Sequence, residues 1–264
     1  EIISAVCKKI TEIKDENWLL HLHIMDVHDC RSINKPFHVL SRLKYFPKWL
    51  MARASKNTNR RFLYDSSVMY VDKQLGLLFN HLKKINILED TAILITADHG
   101  AQFAESPRKK FGIGFRTHYE DIDVPLLMVN INKKPINKGL YDSMSVTASF
   151  LDALDIPYHQ SYKGISIFKG FKDFVISENC GHGNADISRR DIYFTVTTEK
   201  FKLMTVLVNK DLIPSKLFDI QKDPREINNI IEESSSKNII IKLNKILMGE
   251  RKEIFLLRGL KLYE

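Results

Sequence analysis

Two short clusters of side chains carry the chemistry legible in this sequence. One is Asp26, His28 and Asp29, within MDVHDC; the other is Asp98-His99-Gly100. A carboxylate oxygen beside an imidazole nitrogen suits a divalent cation. Gly100 lets the backbone turn sharply, so that its two neighbours can face one ion. His118 follows Asp98 by 20 residues, and Arg116 just before it offers a planar, bidentate donor for an anion. Glu178 and the glycine-flanked His182 make a third cluster, read equally as a ligand contact or as a plain turn.

Both main clusters end apolar runs. WLLHLHIM (Trp18 to Met25) reads as a buried strand running into the first cluster, and TAILITA as a strand ending in Asp98. Between them Val68, Val71, Leu75, Leu78, Phe79 and Leu82 mark one face of a long helix. Ile2, Ile3, Val6, Ile10 and Ile13 mark another helix at the start of the chain. Residues 101–123 are polar and without a strong period, which predicts a long loop, functional or mobile. VPLLMVN is a third strand, and MSVTASFLDALDIP a short helix stopped before Pro157. This alternation predicts an α/β domain with a largely parallel sheet flanked by helices. In such sheets ligands bind at the carboxyl ends of the strands, so the two clusters are expected to share one cavity.

Beyond residue 171 the pattern changes. FVISE, IYFTVTT, FKLMTVLV and KLFDI are short strands separated by polar turns, and a Lys- and Ile-rich helix begins near Ser236. The expected organisation is a core over residues 1–170 and a smaller antiparallel α+β subdomain over 171–264.

Hydrophobic residues at 44% and charged residues at 27% exclude a disordered or fibrous chain. No apolar run approaches the roughly 20 residues of a membrane span. Cys7, Cys30 and Cys180 form no CxxC pair, so neither a disulfide framework nor a zinc knuckle is indicated. The net charge of +8 is spread over scattered basic pairs without interleaved aromatics. That argues against nucleic acid and is compatible with a small anionic substrate. The chain opens with Glu1 inside a helical pattern and shows no signal peptide. It is therefore expected to be part of a longer chain, and its localisation is left open.

Five ordered segments together resemble a known family. YDSSVMYVDKQLGLLFNHLKKINILEDTAILITADHG carries Tyr64, Asp72, Gly76, Asp90, Thr91, Asp98, His99 and Gly100 in a helix–strand–DHG order. HIMDVHDC, THYEDIDVPLLMVN, TASFLDALDIPYHQSYKGISIF and KLFDIQKDPREINNI follow the same family's "HYMDPHxPY", "YE…VPL", "PTLLDLLGI…GxSL" and "LYDLxxDPxExxNL" segments. The chain resembles the sulfatases of the alkaline phosphatase-like superfamily.

The resemblance implies a metal-dependent hydrolase of sulfate esters, of sugars or other organic molecules. It implies that Asp98 and His99 are metal ligands, Ca²⁺ foremost. His28 would contact the anion and the leaving oxygen. His118 would act catalytically and bind the anion with Arg116; its "TH…VP" setting also resembles a second-metal ligand, which would favour Mn²⁺ or Zn²⁺. The expected partner is a small sulfate or phosphate ester. None of the three cysteines stands in the family's nucleophile context, so the chain is expected to be a C-terminal portion that is inactive alone. Two alternatives stay open: a two-metal phosphatase, phosphodiesterase or phosphoethanolamine-type transferase, and a non-catalytic pseudoenzyme or binding module.

Overall fold

The structure, a computed structural model, describes residues 2–28, 56–103, 111–113, 117–179, 192–208 and 211–257. By contacts the chain divides into two compact units, Glu1–Ile93 and Leu94–Glu264.

In the first unit α1 (Ile2–Ile13) carries an apolar stripe, whereas α2 (Lys56–Lys84) buries apolar residues mainly in its C-terminal part, with Val68 of the expected face exposed. Ile3 and Ile10 of α1 meet Leu78 and Leu82 of α2, with Trp18, Leu22, Phe79 and Ile87 packed around them. Thr11 Oγ1 and His81 Nε2 lie 2.9 Å apart between the two helices. α2 stops where Asn86 adopts φ 59°. The Asn86 N–H donates to Lys83 O at 3.1 Å and the Ile87 N–H to Leu82 O at 3.1 Å, a Schellman ending closed by the Ile87–Leu82 apolar pair. Residues 18–25, expected as a strand, form no strand. An apolar run becomes a strand only through a ladder partner, and none pairs with it among the described residues.

The second unit holds most of the sheet structure. β1 (Ile93–Thr96), whose first residue belongs to the first unit, pairs with β4 (Leu126–Val129). Of the expected largely parallel sheet, the described residues contain this two-stranded pair. The stretch expected as a loop holds a small antiparallel hairpin, β2 (Ala101–Phe103) with β3 (Phe111–Ile113), and one helical turn, α3 (Tyr119–Ile122). α4 (Met144–Ala153) ends as α2 does. Asp155 sits at φ 54°, and the Ile156 N–H donates to Leu151 O at 2.9 Å.

The GISIF segment lies along α4. Ser149 Oγ accepts from the Ile167 N–H at 3.0 Å, and Ser166 Oγ donates to Asp152 Oδ2 at 2.7 Å. A Cβ at Gly164 would stand 2.0 Å from Met144 O, so only glycine permits this approach. Burial pushes the Asp152 carboxyl up, but Lys169, Ser166 and Lys133 outweigh it and hold the group below its usual range.

β5 (Phe174–Asn179), β6 (Tyr193–Thr198), β7 (Phe201–Val208) and β8 (Asp211–Asp219) form one antiparallel sheet in sequence order. Its two faces differ. Phe194, Val196, Leu203, Leu207 and Leu217 point to one side, where Leu243 and Leu247 of α5 (Lys237–Leu257) close the core. Leu247 is fully buried. Leu247→Ala is expected to cost about 3 kcal/mol through lost transfer energy and a cavity, read as a lower urea midpoint at unchanged slope. Thr195, Lys202, Met204, Lys216 and Phe218 occupy the opposite face by strand alternation and register. That second face is part of the candidate site. No helix among the described residues is long and apolar enough to cross a membrane.

Candidate active site

Asp98 and His99 follow the end of β1. The Asp98 Oδ1 accepts from the His99 N–H at 2.9 Å, which fixes the carboxylate against the turn. His99 Nδ1 lies 2.9 Å from Gly100 O. With Nδ1 donating to that carbonyl, Nε2 is the ring atom that carries the lone pair. Nε2 stands 3.7 Å from Asp98 Oδ2. Two donors that far apart can both reach an ion at about 2.0–2.6 Å, the ligand distances of zinc and calcium. The donor set therefore fits a divalent ion as two ligands. Among the described residues no group of three or more His, Cys, Asp or Glu is gathered for a metal. The Asp98 side chain is 75% exposed, and water can complete such a shell.

Gly100 has a different role from the one expected. Its φ is not positive; among the described glycines only Gly139 is left-handed. Glycine is required because a Cβ there would lie 2.0 Å from Glu120 O. The Gly100 N–H donates to Asp121 O at 2.8 Å, and the Gln102 amide donates to the buried Asp121 carboxylate. The DHG turn is thus clasped by the residues of α3.

His118 caps α3, with φ −72° and ψ 161°. It is not a solvated loop residue: 1% of it is exposed. Its Nδ1 lies 2.6 Å from Glu226 Oε2, and its Nε2 lies 3.3 Å from Lys216 Nζ. A lysine ammonium only donates, so Nε2 accepts and Nδ1 carries the proton donated to Glu226. The ring packs edge-on against Phe218 at 5.9 Å. Glu226 also accepts from Lys202 Nζ at 2.6 Å and from the Tyr119 N–H at 3.1 Å. Beside it the Thr117 and Thr195 hydroxyls are hydrogen-bonded to each other. Burial pushes the Glu226 carboxyl up, but the hydrogen bond from His118 and the charge of Lys202 outweigh it and hold the group below its usual range.

The structure therefore brings His118 onto the segment that clasps the DHG turn. His28 belongs to the first unit and is exposed. Arg116, Asp29 and His182 lie outside the described residues. Glu178 pairs with Arg251, joining β5 to α5. Sequence reasoning did not assign Glu226, Lys202 or Lys216 to the site. A lysine inside the otherwise apolar FKLMTVLV strand was the signal for a buried charge that needs a partner.

The sequence model of the sulfatase family matches residues 3–156, more than half of the chain. The chain belongs to the sulfatase family. A second family model, N-sulphoglucosamine sulphohydrolase, C-terminal, matches residues 115–253, which include His118 and Glu226. An arylsulfatase of Clostridium perfringens is 25% identical over 196 residues, covering 71% of this chain and 39% of the relative. An N-acetylglucosamine-6-O-sulfatase of Bacteroides thetaiotaomicron is 27% identical over 185 residues, covering 63% of this chain and 31% of the relative. The chain thus spans about a third to two fifths of these relatives. The solved structure of a 2-O GAG sulfatase superposes with a TM-score of 0.63 at 17% identity, over 98% of this chain and 59% of that one. That likeness shows the α/β fold of the sulfatases.

Proposed function

We propose that the protein containing this chain is a divalent-metal-dependent sulfatase acting on sulfate esters of sugars or other small organic molecules. The observation that carries the reading is the Asp98–His99 pair, with donors 3.7 Å apart at the end of β1, in a chain of the sulfatase family. The N-acetylglucosamine-6-O-sulfatase among its relatives supports a sugar sulfate as substrate.

Asp98 and His99 would hold the ion, with Ca²⁺ as the proposed metal. A divalent ion bound there supplies Lewis-acid polarisation of an ester oxygen. The Nδ1 contact with Gly100 O holds the His99 ring, whose Nε2 is the proposed metal donor. Asp98 is held in place by the His99 N–H. His28 is proposed as the residue that protonates the leaving alcohol, and Arg116 as a donor to the sulfuryl oxygens, both on the family resemblance. His118 is proposed to serve anion recognition only indirectly, by holding the start of α3 beside the DHG turn. Its two ring nitrogens are already engaged by Glu226 and Lys216, which supports a one-metal site over a two-metal one. None of the three cysteines is proposed as the nucleophile. The proposed boundary between core and C-terminal subdomain is 170/171, supported by the single hydrophobic cluster that β5–β8 share with α5.

The test is turnover of an aryl sulfate and of glucosamine 6-sulfate by the protein containing this chain, with Ca²⁺ present. Asp98→Ala is expected to lower kcat/KM about 10³-fold, the worth of several kcal/mol of charge stabilisation. Sulfatase activity indifferent to both Asp98→Ala and chelation would overturn the assignment. Faster turnover of the matching phosphate ester would move the protein to the phosphatase branch of the superfamily.

A further inference from the structure

Glu226 lies in the segment that follows β8 and is 2% exposed. Its φ is 53°, in the left-handed region. Among the described non-glycine residues it shares that region with Asn86, Asn130 and Asp155. Those are the residue types whose short side chains tolerate the conformation, whereas a glutamate gains nothing from it. The segment is fastened on both sides of this residue. The Glu226 N–H donates to Asp223 O at 3.0 Å, the Asn228 N–H to Asp223 Oδ2 at 2.7 Å and the Ile230 N–H to Leu217 O at 2.9 Å. A strained backbone position that is held by its surroundings and bears a buried carboxylate points to a task for the side chain.

Its bonds show where that task lies. Glu226 Oε2 accepts from His118 Nδ1 at 2.6 Å, and Oε1 accepts from the Tyr119 N–H at 3.1 Å and from Lys202 Nζ at 2.6 Å. His118 is the N-cap of α3 and Tyr119 its first residue. At four residues α3 is too short to hold its own shape, since a first helical turn fixes more backbone freedom than its bonds return. The His118 side chain makes no capping bond to the helix; the orphan N–H of Tyr119 is satisfied instead by Glu226, 107 residues along the chain. On its other side α3 meets the DHG turn. The Gly100 N–H donates to Asp121 O at 2.8 Å, and Glu120 O stands 2.0 Å from where a Gly100 Cβ would be. Gly100 O in turn lies 2.9 Å from His99 Nδ1. Glu226 is thus joined to the His99 ring through α3 and Gly100.

We propose that Glu226 is a positioning residue of the DHG turn: by fixing the start of α3 it sets the place of Gly100, and with it the orientation of the His99 ring and of Asp98. This rests on reading the turn as a metal site. Lys202 balances the carboxylate, so both of its oxygens stay acceptors. The consequence is that the segment after β8, remote in sequence from Asp98 and His99, governs how tightly they hold a divalent ion. Donors that are already aimed lose little freedom on binding, so a loosened α3 weakens affinity.

The test uses the full 264-residue chain, isotope-labelled and followed by NMR, with Mn²⁺ as the paramagnetic probe of the turn. Tyr119→Pro and Tyr119→Ala both remove the ring, and proline also removes the N–H that Glu226 accepts. Proline suits the first position of a helix. His118, at φ −72° and ψ 161°, already has the backbone that a following proline demands. Relative to Tyr119→Ala, Tyr119→Pro should shift the metal-free His99 ring signals and weaken Mn²⁺ binding about tenfold, the usual worth of a hydrogen bond to a charged group. Glu226→Gln, kept well below its melting temperature, should shift the same signals. Leu247→Ala, which loosens the opposite face of the sheet, should lower stability while His99 signals and Mn²⁺ affinity stay as in wild type. That contrast separates positioning from a general loss of stability. Identical His99 signals and Mn²⁺ affinity in Tyr119→Pro and Tyr119→Ala, or an equal change in Leu247→Ala, would overturn the proposal. A wild type whose Asp98 and His99 signals are not broadened by Mn²⁺ would sink the metal reading alone, while the metal-free His99 signals still decide the role of Glu226.

Discussion

Glu226→Gln is expected to destabilise the C-terminal unit by about 3–5 kcal/mol at pH 7, the usual result of removing one charge from a buried ion pair. The amide keeps the shape of the side chain but leaves the Lys202 ammonium, itself 2% exposed, without its carboxylate 2.6 Å away. It also presents a donor or a weaker acceptor to the His118 Nδ1–H. Thermal melting should fall by roughly 10 °C or more for a unit of this size. The pH dependence has a definite sign. The folded-state pKa of Glu226 lies below its unfolded value, because the hydrogen bond from His118 and the charge of Lys202 outweigh the burial that raises it. Its stabilisation is therefore complete above the unfolded carboxyl value and is lost as the pH falls through the lower folded one. Wild type should lose stability in that acid window, and Glu226→Gln should lack this part of the slope. Lys202→Met alone should also destabilise strongly, since it removes the ammonium that balances the buried Glu226 charge. The double substitution Lys202→Met with Glu226→Gln should be less harmful than the sum of the singles, measured as a double-mutant cycle. Additive losses would show that the two groups do not act as a pair.

Gly100→Ala carries the second large effect. The added methyl would sit 2.0 Å from Glu120 O, and a backbone carbonyl within a hydrogen-bonded turn cannot swing away as a side-chain tip can. Either the 2.8 Å bond from the Gly100 N–H to Asp121 O breaks, or β2 and α3 move apart. Overpacking costs about 1–3 kcal/mol in ordinary cores, and the upper end is expected here because the methyl is fixed to the backbone and meets a main-chain carbonyl. The functional loss should exceed the loss of stability. Asp98 and His99 are placed by the same turn, so divalent-ion affinity and kcat/KM should fall together. Gly249→Ala is the control. A Cβ there meets nothing within 4 Å, and alanine favours the helix, so stability should be unchanged or slightly raised. A Gly100→Ala protein with wild-type melting and metal binding would show that the clasp between the DHG turn and α3 is not tight.

What the sequence determined here was local. The stripe Leu78–Leu82 against Ile3–Ile10, the apolar run ending in Asp98, and the four alternating strands after residue 171 each announced their element, because periodicity reports which side of a segment meets the core. The DHG turn and the family's ordered segments were likewise legible, since short motifs keep their residues adjacent in the chain. The structure decided whatever depended on a distant partner. Residues 18–25 form no strand, because a strand is defined by its neighbour and not by its own composition. The stretch after Gly100 looked featureless but folds into a hairpin and a helical turn. These are held by bonds such as Gln102 to Asp121 that no period encodes. Gly100 proved necessary through the approach of Glu120 and not through its own dihedral angles. His118 was visible as a candidate, but its environment was not. Glu226 reaches it across 108 residues, and strand register alone puts Lys202, Lys216 and Phe218 on the face that meets it. Residue types set which charges needed partners; only the tertiary fold brought those partners within hydrogen-bonding distance.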